Sequence, residues 1–207
     1  MKLPLPARRQ KFALPSALAG AALILLLQAM PDVLPALEYR RALLANEPWR
    51  LLTAHLVHVN WRHALVNAAA WLVLARLFAP HLDAKRQLLS LALGAVCVSL
   101  GLAGFFPSIE WYRGASGALH ALFFAGATAM LGGAARSRQW STALLPMTLL
   151  AGGCIKVAIE LPHGAATPHA QWLAAATVPQ AHLFGAIAGT AAGLVFAAKR
   201  TGRADRG

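Results

Sequence analysis

Acidic side chains are scarce here: seven Asp and Glu in 207 residues, against nineteen Lys and Arg. Charged residues of both signs reach only 13%, about half of what a soluble globular domain carries. That shortage excludes an ordinary water-facing surface. Cysteine is nearly absent too, and Cys97 and Cys154 both fall within long apolar runs. They read as buried free thiols, which excludes a disulfide scaffold or a thiolate metal site. The chain has no CxxC, no HExxH and no phosphate-binding glycine loop. It also lacks internal repeats and a low-complexity tail.

What is present is apolar length. Hydrophobic residues make up 58% of the chain, with a mean hydropathy of +0.55. A helix of about 20 apolar residues crosses the hydrocarbon of a bilayer. Six such runs are predicted near Phe12–Met30, Trp61–Ala79, Gln87–Phe106, Ala115–Gly133, Ser141–Ile159 and Pro179–Ala198. They take more than half the chain and leave no room for a soluble domain. The expected fold is therefore an all-α membrane protein, a compact bundle of six transmembrane helices over residues 12–198. A basic N-terminal segment, 1–11, and a basic tail, 199–207, flank it.

The formal charge of +12 invites a nucleic-acid reading, which its distribution contradicts. Lys2, Arg8, Arg9, Lys11, Lys85, Arg86, Arg136, Arg138, Lys199, Arg200, Arg203 and Arg206 fall on one set of alternating connections. The other set holds Arg40, Arg41, Arg50, Arg62 and Arg113, largely offset by Asp32, Glu38, Glu47 and Glu110. The loop from Glu160 to Val178 has no Lys or Arg. This asymmetry predicts both termini in the cytoplasm, and no nucleic-acid partner. The first run is longer than the ~7–15 apolar residues of a signal peptide and lacks a small-x-small site before Pro31, so it is expected to be retained. Two connections are long, both on the outer side. Residues 31–60 have the amphipathic mix of an interfacial segment, with Trp49 at headgroup depth. Residues 160–178 read as a mobile flap.

Three constellations carry chemistry. The first is Gly114-Ala115-Ser116-Gly117, opening the fourth run. A serine hydroxyl attacks an acyl carbon when a base takes its proton and donors receive the oxyanion. Free amides at a helix N-terminus supply such donors. The bland alternative is a packing serine or cap. The second is His182, three residues before Gly185 on the face that Gly185, Gly189 and Gly193 form at four-residue spacing. Gly117, Ala121 and Ala125 make a matching strip on the fourth run. Pressing the strips together sets Ser116 and His182 at similar depth near the outer surface, where an imidazole can act as general base. The alternative is a histidine satisfied by a backbone carbonyl.

The third runs from Trp49-Arg50 through His55, His58, Asn60 and His63 to Asn67. Asn60 suits the N-cap of the second helix. His63 and Asn67, four residues apart, share one face and can both donate to an oxyanion. His55 reads as an interfacial or packing residue, and His58 as a tie between the first loop and the bundle. A metal site is disfavoured: no carboxylate or cysteine is near, and His58 and His63 are five apart, off helical metal spacing. No metal and no cofactor is expected. Lys156 and Glu160, an i,i+4 pair, read as mutually neutralising at the bundle edge, with substrate contact or flap attachment as the other role. His163 and His169 read as solvated.

In this order and placement, the three motifs resemble the rhomboid family of intramembrane serine proteases, over roughly Pro48 to Gly193. The resemblance implies a Ser–His dyad without a third acid, here Ser116 and His182. It implies oxyanion donors at His63, Asn67 and the Ser116 backbone N–H, and a first-loop motif at Trp49-Arg50. Supporting positions are Gly114, Gly117, His58, Gly185 and Gly189. The sequences around His55–Trp61 and Gly114–His120 are most similar to the rhombosortase branch. That likeness implies the inner membrane of a bacterium, an active site towards the periplasm, and a single-pass or tail-anchored exported substrate with a C-terminal Gly-rich sorting tail. One departure is His120, four residues after the serine, where many rhomboids have tyrosine. By spacing it can stack on His182, hydrogen-bond to it, or compete as the base. The rival readings are a catalytically inactive rhomboid-like binder of membrane helices and a small transporter. Polar groups gathered at one face argue against the transporter.

Overall fold

The computed structural model describes residues 13–138, 140–163, 168–173 and 177–199. The basic segment 1–11, the tail beyond Lys199 and parts of the second outer loop lie outside them.

Among the described residues the first helix is α1 (Ala13–Gln28), which ends just before Pro31 and turns through 93° into a short outer segment that contains α2 (Leu34–Leu37). Strand β1 (Tyr39–Arg40), a 3₁₀ turn and α3 (Arg50–Thr53) complete the first outer loop. Then follow α4 (Trp61–Phe78), α5 (Ala84–Phe105), strand β2 (Trp111–Tyr112) and α6 (Ser116–Ser137). The chain ends with α7 (Leu144–His163), α8 (Pro168–Leu173) and α9 (Pro179–Lys199). Local chemistry sets several boundaries. The Asn60 side chain accepts the His63 N–H at 2.9 Å, and Asp83 accepts the Arg86 N–H at 3.0 Å, satisfying free donors at two helix starts. At its far end α6 stops where Arg138 turns left-handed, at φ 53°.

Length and composition qualify α5, α6, the stretch Trp140–His163 and α9 as membrane crossings, with α1 a fifth if it is joined to the bent segment after it. This is a multi-pass membrane protein. Helix α4, one of the six runs expected to span, does not qualify. Arg62, His63, Asn67 and Arg76 lower its apolar content, and several of its polar groups turn inward, with His63 and Asn67 buried. Helix α6 is the axis of the bundle, packed by α4, α5, α7 and α9.

The α6–α9 contact is the tightest. A methyl group added at Gly185 would stand 2.0 Å from the Gly117 carbonyl oxygen. At Gly189 it would stand 2.3 Å from that of Ala121, and at Gly193 2.8 Å from that of Ala125. Small residues let the two backbones touch, which is how helices associate where lipid offers no hydrophobic drive. A core of Ile24, Trp71, Leu119, Leu122, Ala125 and Phe196 fills the middle of the bundle.

Several details differ from expectation. Helix α6 runs a turn past Gly133, and α7 continues to His163, so Glu160 belongs to its last turn and not to a loop. The second outer loop, read as a flap, contains α8, whose last two residues accept hydrogen bonds from α4 and its cap. Asn60 Nδ2 donates to the Leu173 carbonyl at 2.8 Å and Arg62 Nη1 to that of Trp172 at 3.2 Å. The otherwise all-α fold includes the two-residue antiparallel pairing of β1 with β2. Cys154 is exposed and Cys97 half-buried, because neither faces the α6 axis.

Candidate active site

The first outer loop is fastened from within. Arg50 is buried; its Nη1 donates to the Pro35 and Glu38 carbonyls at 2.8 and 2.7 Å, and its Nε to Glu47 Oε2 at 2.5 Å. A buried guanidinium is tolerated only when its donors are so occupied. Trp49 stays half exposed and caps the Ala36 carbonyl. The Glu38 carboxylate bridges Arg40 and Arg113, joining this loop to the segment that precedes α6. Beneath lies a small apolar cluster of Tyr39, Ala54, Val98, Leu102, Tyr112 and Ala181. It seats the loop on α5 and on the first turn of α9.

These contacts hold the turn that presents Ser116. The Gly114 N–H donates to the Ala54 carbonyl at 3.0 Å, and the Ala115 N–H to His58 Nε2 at 3.3 Å. The Tyr112 hydroxyl donates to the Gly114 carbonyl at 2.6 Å. Burial pushes that phenol up to about 12, against weaker hydrogen bonding to Ser116 and the Gly117 amide, so it stays a donor at working pH. Burial and then the neighbouring His63 push His58 down to about 3, which keeps it a neutral acceptor for Ala115. Burial likewise lowers His55 to about 4; its Nε2 donates to Ser99 Oγ at 3.2 Å. Of the two readings, His55 is thus the packing residue, buried in the core.

Gly114 has φ +138°, a region side chains rarely adopt, and a methyl group there would meet His63 Cε1 at 2.7 Å. Gly114→Ala is expected to cost about 1–3 kcal/mol from the backbone alone and to displace Ser116. Thermal unfolding in detergent measures the first effect; an unchanged melting temperature would contradict it.

Ser116 begins α6, so its own amide and those just after it have no partner within the helix. Its Oγ lies 3.0 Å from His182 Nε2. His120 stacks on His182, with ring centroids 4.2 Å apart and planes 13° from parallel, and its Nδ1 donates to the Ser116 carbonyl at 2.8 Å. His63 packs edge-on against His58 at 4.9 Å, beside Gly114. Asn67, one turn further along α4, donates from Nδ2 to the His63 carbonyl at 3.1 Å, leaving a second amide hydrogen for another acceptor. The structure therefore gathers Ser116, His182 and His120 in direct contact. It sets His63 and His58 beside the serine's turn, and keeps Trp49 and Arg50 in the scaffold above.

Tyr112 and the contact of Glu160 with His182 escaped sequence reasoning. Tyr112 carried no signal, since an isolated aromatic in a loop has many uses. Glu160 did carry one, being an acid inside an apolar run. Beyond its bond to Lys156 Nζ at 2.6 Å, it accepts from His182 Nδ1 on its other oxygen, at 2.7 Å.

A serine hydroxyl against an imidazole nitrogen, at a helix start whose first amides have no partner within the helix and inside a bundle of apolar helices, is an arrangement that could support acyl transfer at a membrane. No curated protein matches the chain. The family profile described as "Rhomboid domain" matches residues 45–199, which include Ser116, His182, His120, His63, Asn67 and Glu160. With most of its length inside that match, the chain belongs to the rhomboid family.

Proposed function

We propose that this protein is a rhomboid-type serine endopeptidase that cuts a peptide bond in or beside a transmembrane segment of its substrate. Rhomboids are broadly intramembrane serine proteases, and the observation that carries the reading to this chain is the 3.0 Å contact between Ser116 Oγ and His182 Nε2. In acylation the Ser116 oxygen bonds to the scissile carbonyl carbon as its proton passes to His182 Nε2. The oxyanion is received by the Ser116 amide, with His63 and Asn67 as side-chain donors. The C–N bond then breaks, and His182 returns the proton to the leaving amine. Water enters next, gives its proton to His182 and releases the acyl group, and Ser116 regains its hydrogen.

A substrate helix already satisfies its own backbone, so it must unwind locally before attack, which favours small residues near the cut. In this reading residues 12–198 form the membrane domain with six crossings, the flanking segments 1–11 and 199–207 are cytoplasmic, and the site opens to the periplasmic side of a bacterial inner membrane. The basic residues on alternate connections support that orientation. The substrate is a single-pass or tail-anchored exported protein with a Gly-rich sorting tail, as in the rhombosortase branch.

A fluorophosphonate probe reacts only with an activated serine. Wild-type protein in detergent is expected to label, and Ser116→Ala to lose the label entirely. Equal labelling of the two would remove the protease assignment. A wild type that folds but never labels would favour the inactive helix binder instead.

A further inference from the structure

We propose that Glu160 is a positioning residue that completes a Ser116–His182–Glu160 relay, in place of a bare dyad; this rests on the reading of Ser116 and His182 as nucleophile and base. The simpler account makes Glu160 the neutralising partner of Lys156. Geometry separates the two. The carboxylate uses different oxygens for different partners, Oε1 for Lys156 Nζ at 2.6 Å and Oε2 for His182 Nδ1 at 2.7 Å. The side chains of Glu160 and His182 are 11% and 5% exposed, whereas that of Lys156 is 44% exposed. The bond shielded from water is therefore the one to the imidazole, and shielding is what gives such a bond its strength.

The chemical consequence follows from the two ring nitrogens. A carboxylate can only accept, so Nδ1 must carry the proton and Nε2 must offer its lone pair to Ser116 Oγ, 3.0 Å away. Without Glu160 the neutral ring is free to take the opposite tautomer, in which Nε2 bears hydrogen and cannot act as base. When the serine proton arrives on Nε2, the imidazolium keeps donating from Nδ1 to the carboxylate, which stays ionised. The groups facing His182 include Ser116 and the stacked His120 from α6, and Glu160 from α7, with Lys156 behind the carboxylate. Lys156 holds the carboxylate in place but does not touch the ring's donor.

The test uses full-length protein in detergent and the rate of fluorophosphonate labelling, resolved into maximal rate (kinact) and half-saturating probe concentration (KI). Glu160→Gln is expected to lower kinact on the order of 10²–10⁴-fold, with KI within about twofold because the probe's binding groups are untouched. Lys156→Met should cost about threefold or less, and the double variant should match Glu160→Gln alone. Glu160→Asp, which keeps the charge one methylene short, should recover about tenfold of the loss. The proposal is overturned if Glu160→Gln keeps wild-type kinact, or if Lys156→Met loses as much as Glu160→Gln. Should Glu160→Gln not fold by circular dichroism, a Lys156→Met loss equal to that of Glu160→Asp overturns it. Residual labelling of Ser116→Ala would instead sink the nucleophile reading itself, a separate outcome.

Discussion

Replacing His182 with alanine should lower turnover by roughly 10⁴-fold or more, as removal of a general base from an assembled nucleophile does. His120→Ala should lower it by only about tenfold. The difference rests on what each ring is bonded to. His182 Nε2 faces the Ser116 hydroxyl, whereas His120 Nδ1 is committed to the Ser116 carbonyl. What His120 adds is a stacked surface, and an aromatic stack contributes about 0.5–1.5 kcal/mol, which at 1.4 kcal/mol per decade is about tenfold at most. His120→Phe, which keeps the stack and loses the hydrogen bond, should lie between His120→Ala and wild type. Release of a tail-anchored exported reporter in co-expressing cells, calibrated by single-turnover labelling, measures all three. If His182→Ala kept a tenth of the wild-type rate while His120→Ala was inert, the base would be His120.

Gly185→Leu should be the most damaging substitution outside the chemistry. Its Cβ would start 2.0 Å from a backbone carbonyl, which has no rotamer to escape into. Helices α6 and α9 must separate or the leucine must distort both, and overpacking of this kind costs about 1–3 kcal/mol, occasionally more. Activity should fall further than stability, since Ser116 and His182 sit at the head of that same contact. A shift of even 1 Å opens the 3.0 Å approach beyond hydrogen-bond reach. Melting temperature and probe labelling, measured together, should both drop. Gly152→Ala on α7, where a methyl group meets nothing within 4 Å, is the matched control and should lower neither. A Gly185→Leu variant with a wild-type melting temperature would mean that the two helices do not touch.

The approach of Ser116 to His182 was legible because both lie in regular helices, where spacing fixes direction. A histidine three residues before Gly185 must share the glycine face, and small residues must meet small residues for two backbones to close. The same periodicity put His120 beside His182, with stacking one of the three roles it allowed. The bond of Glu160 to His182 was not legible, for the converse reason. The i,i+4 spacing of Glu160 to Lys156 is a local signal that explains the pair without reference to anything else, while its bond to His182 joins helices whose relative rotation no periodicity reports. The extra turn of α7 hid it further by leaving Glu160 at an expected helix end. Tyr112 and the β1–β2 pairing were invisible because two-residue strands have no pattern to detect. Helix α4 shows how a bundle tolerates polarity. The residues that weaken its apolar run include the ones turned towards the site, so hydropathy alone undercounts such a helix. Arg50 was recognisable as part of a motif, but its work as a buried clamp depends on carbonyls supplied by a loop of no regular form.

The hydroxyl and the imidazole are separated by 66 positions in the chain. At about 5–20 residues per second, a ribosome makes that stretch in roughly 3–13 s. Under the proposed reading the serine would wait through that interval without His182, and full reactivity would need α9 inserted beside α6.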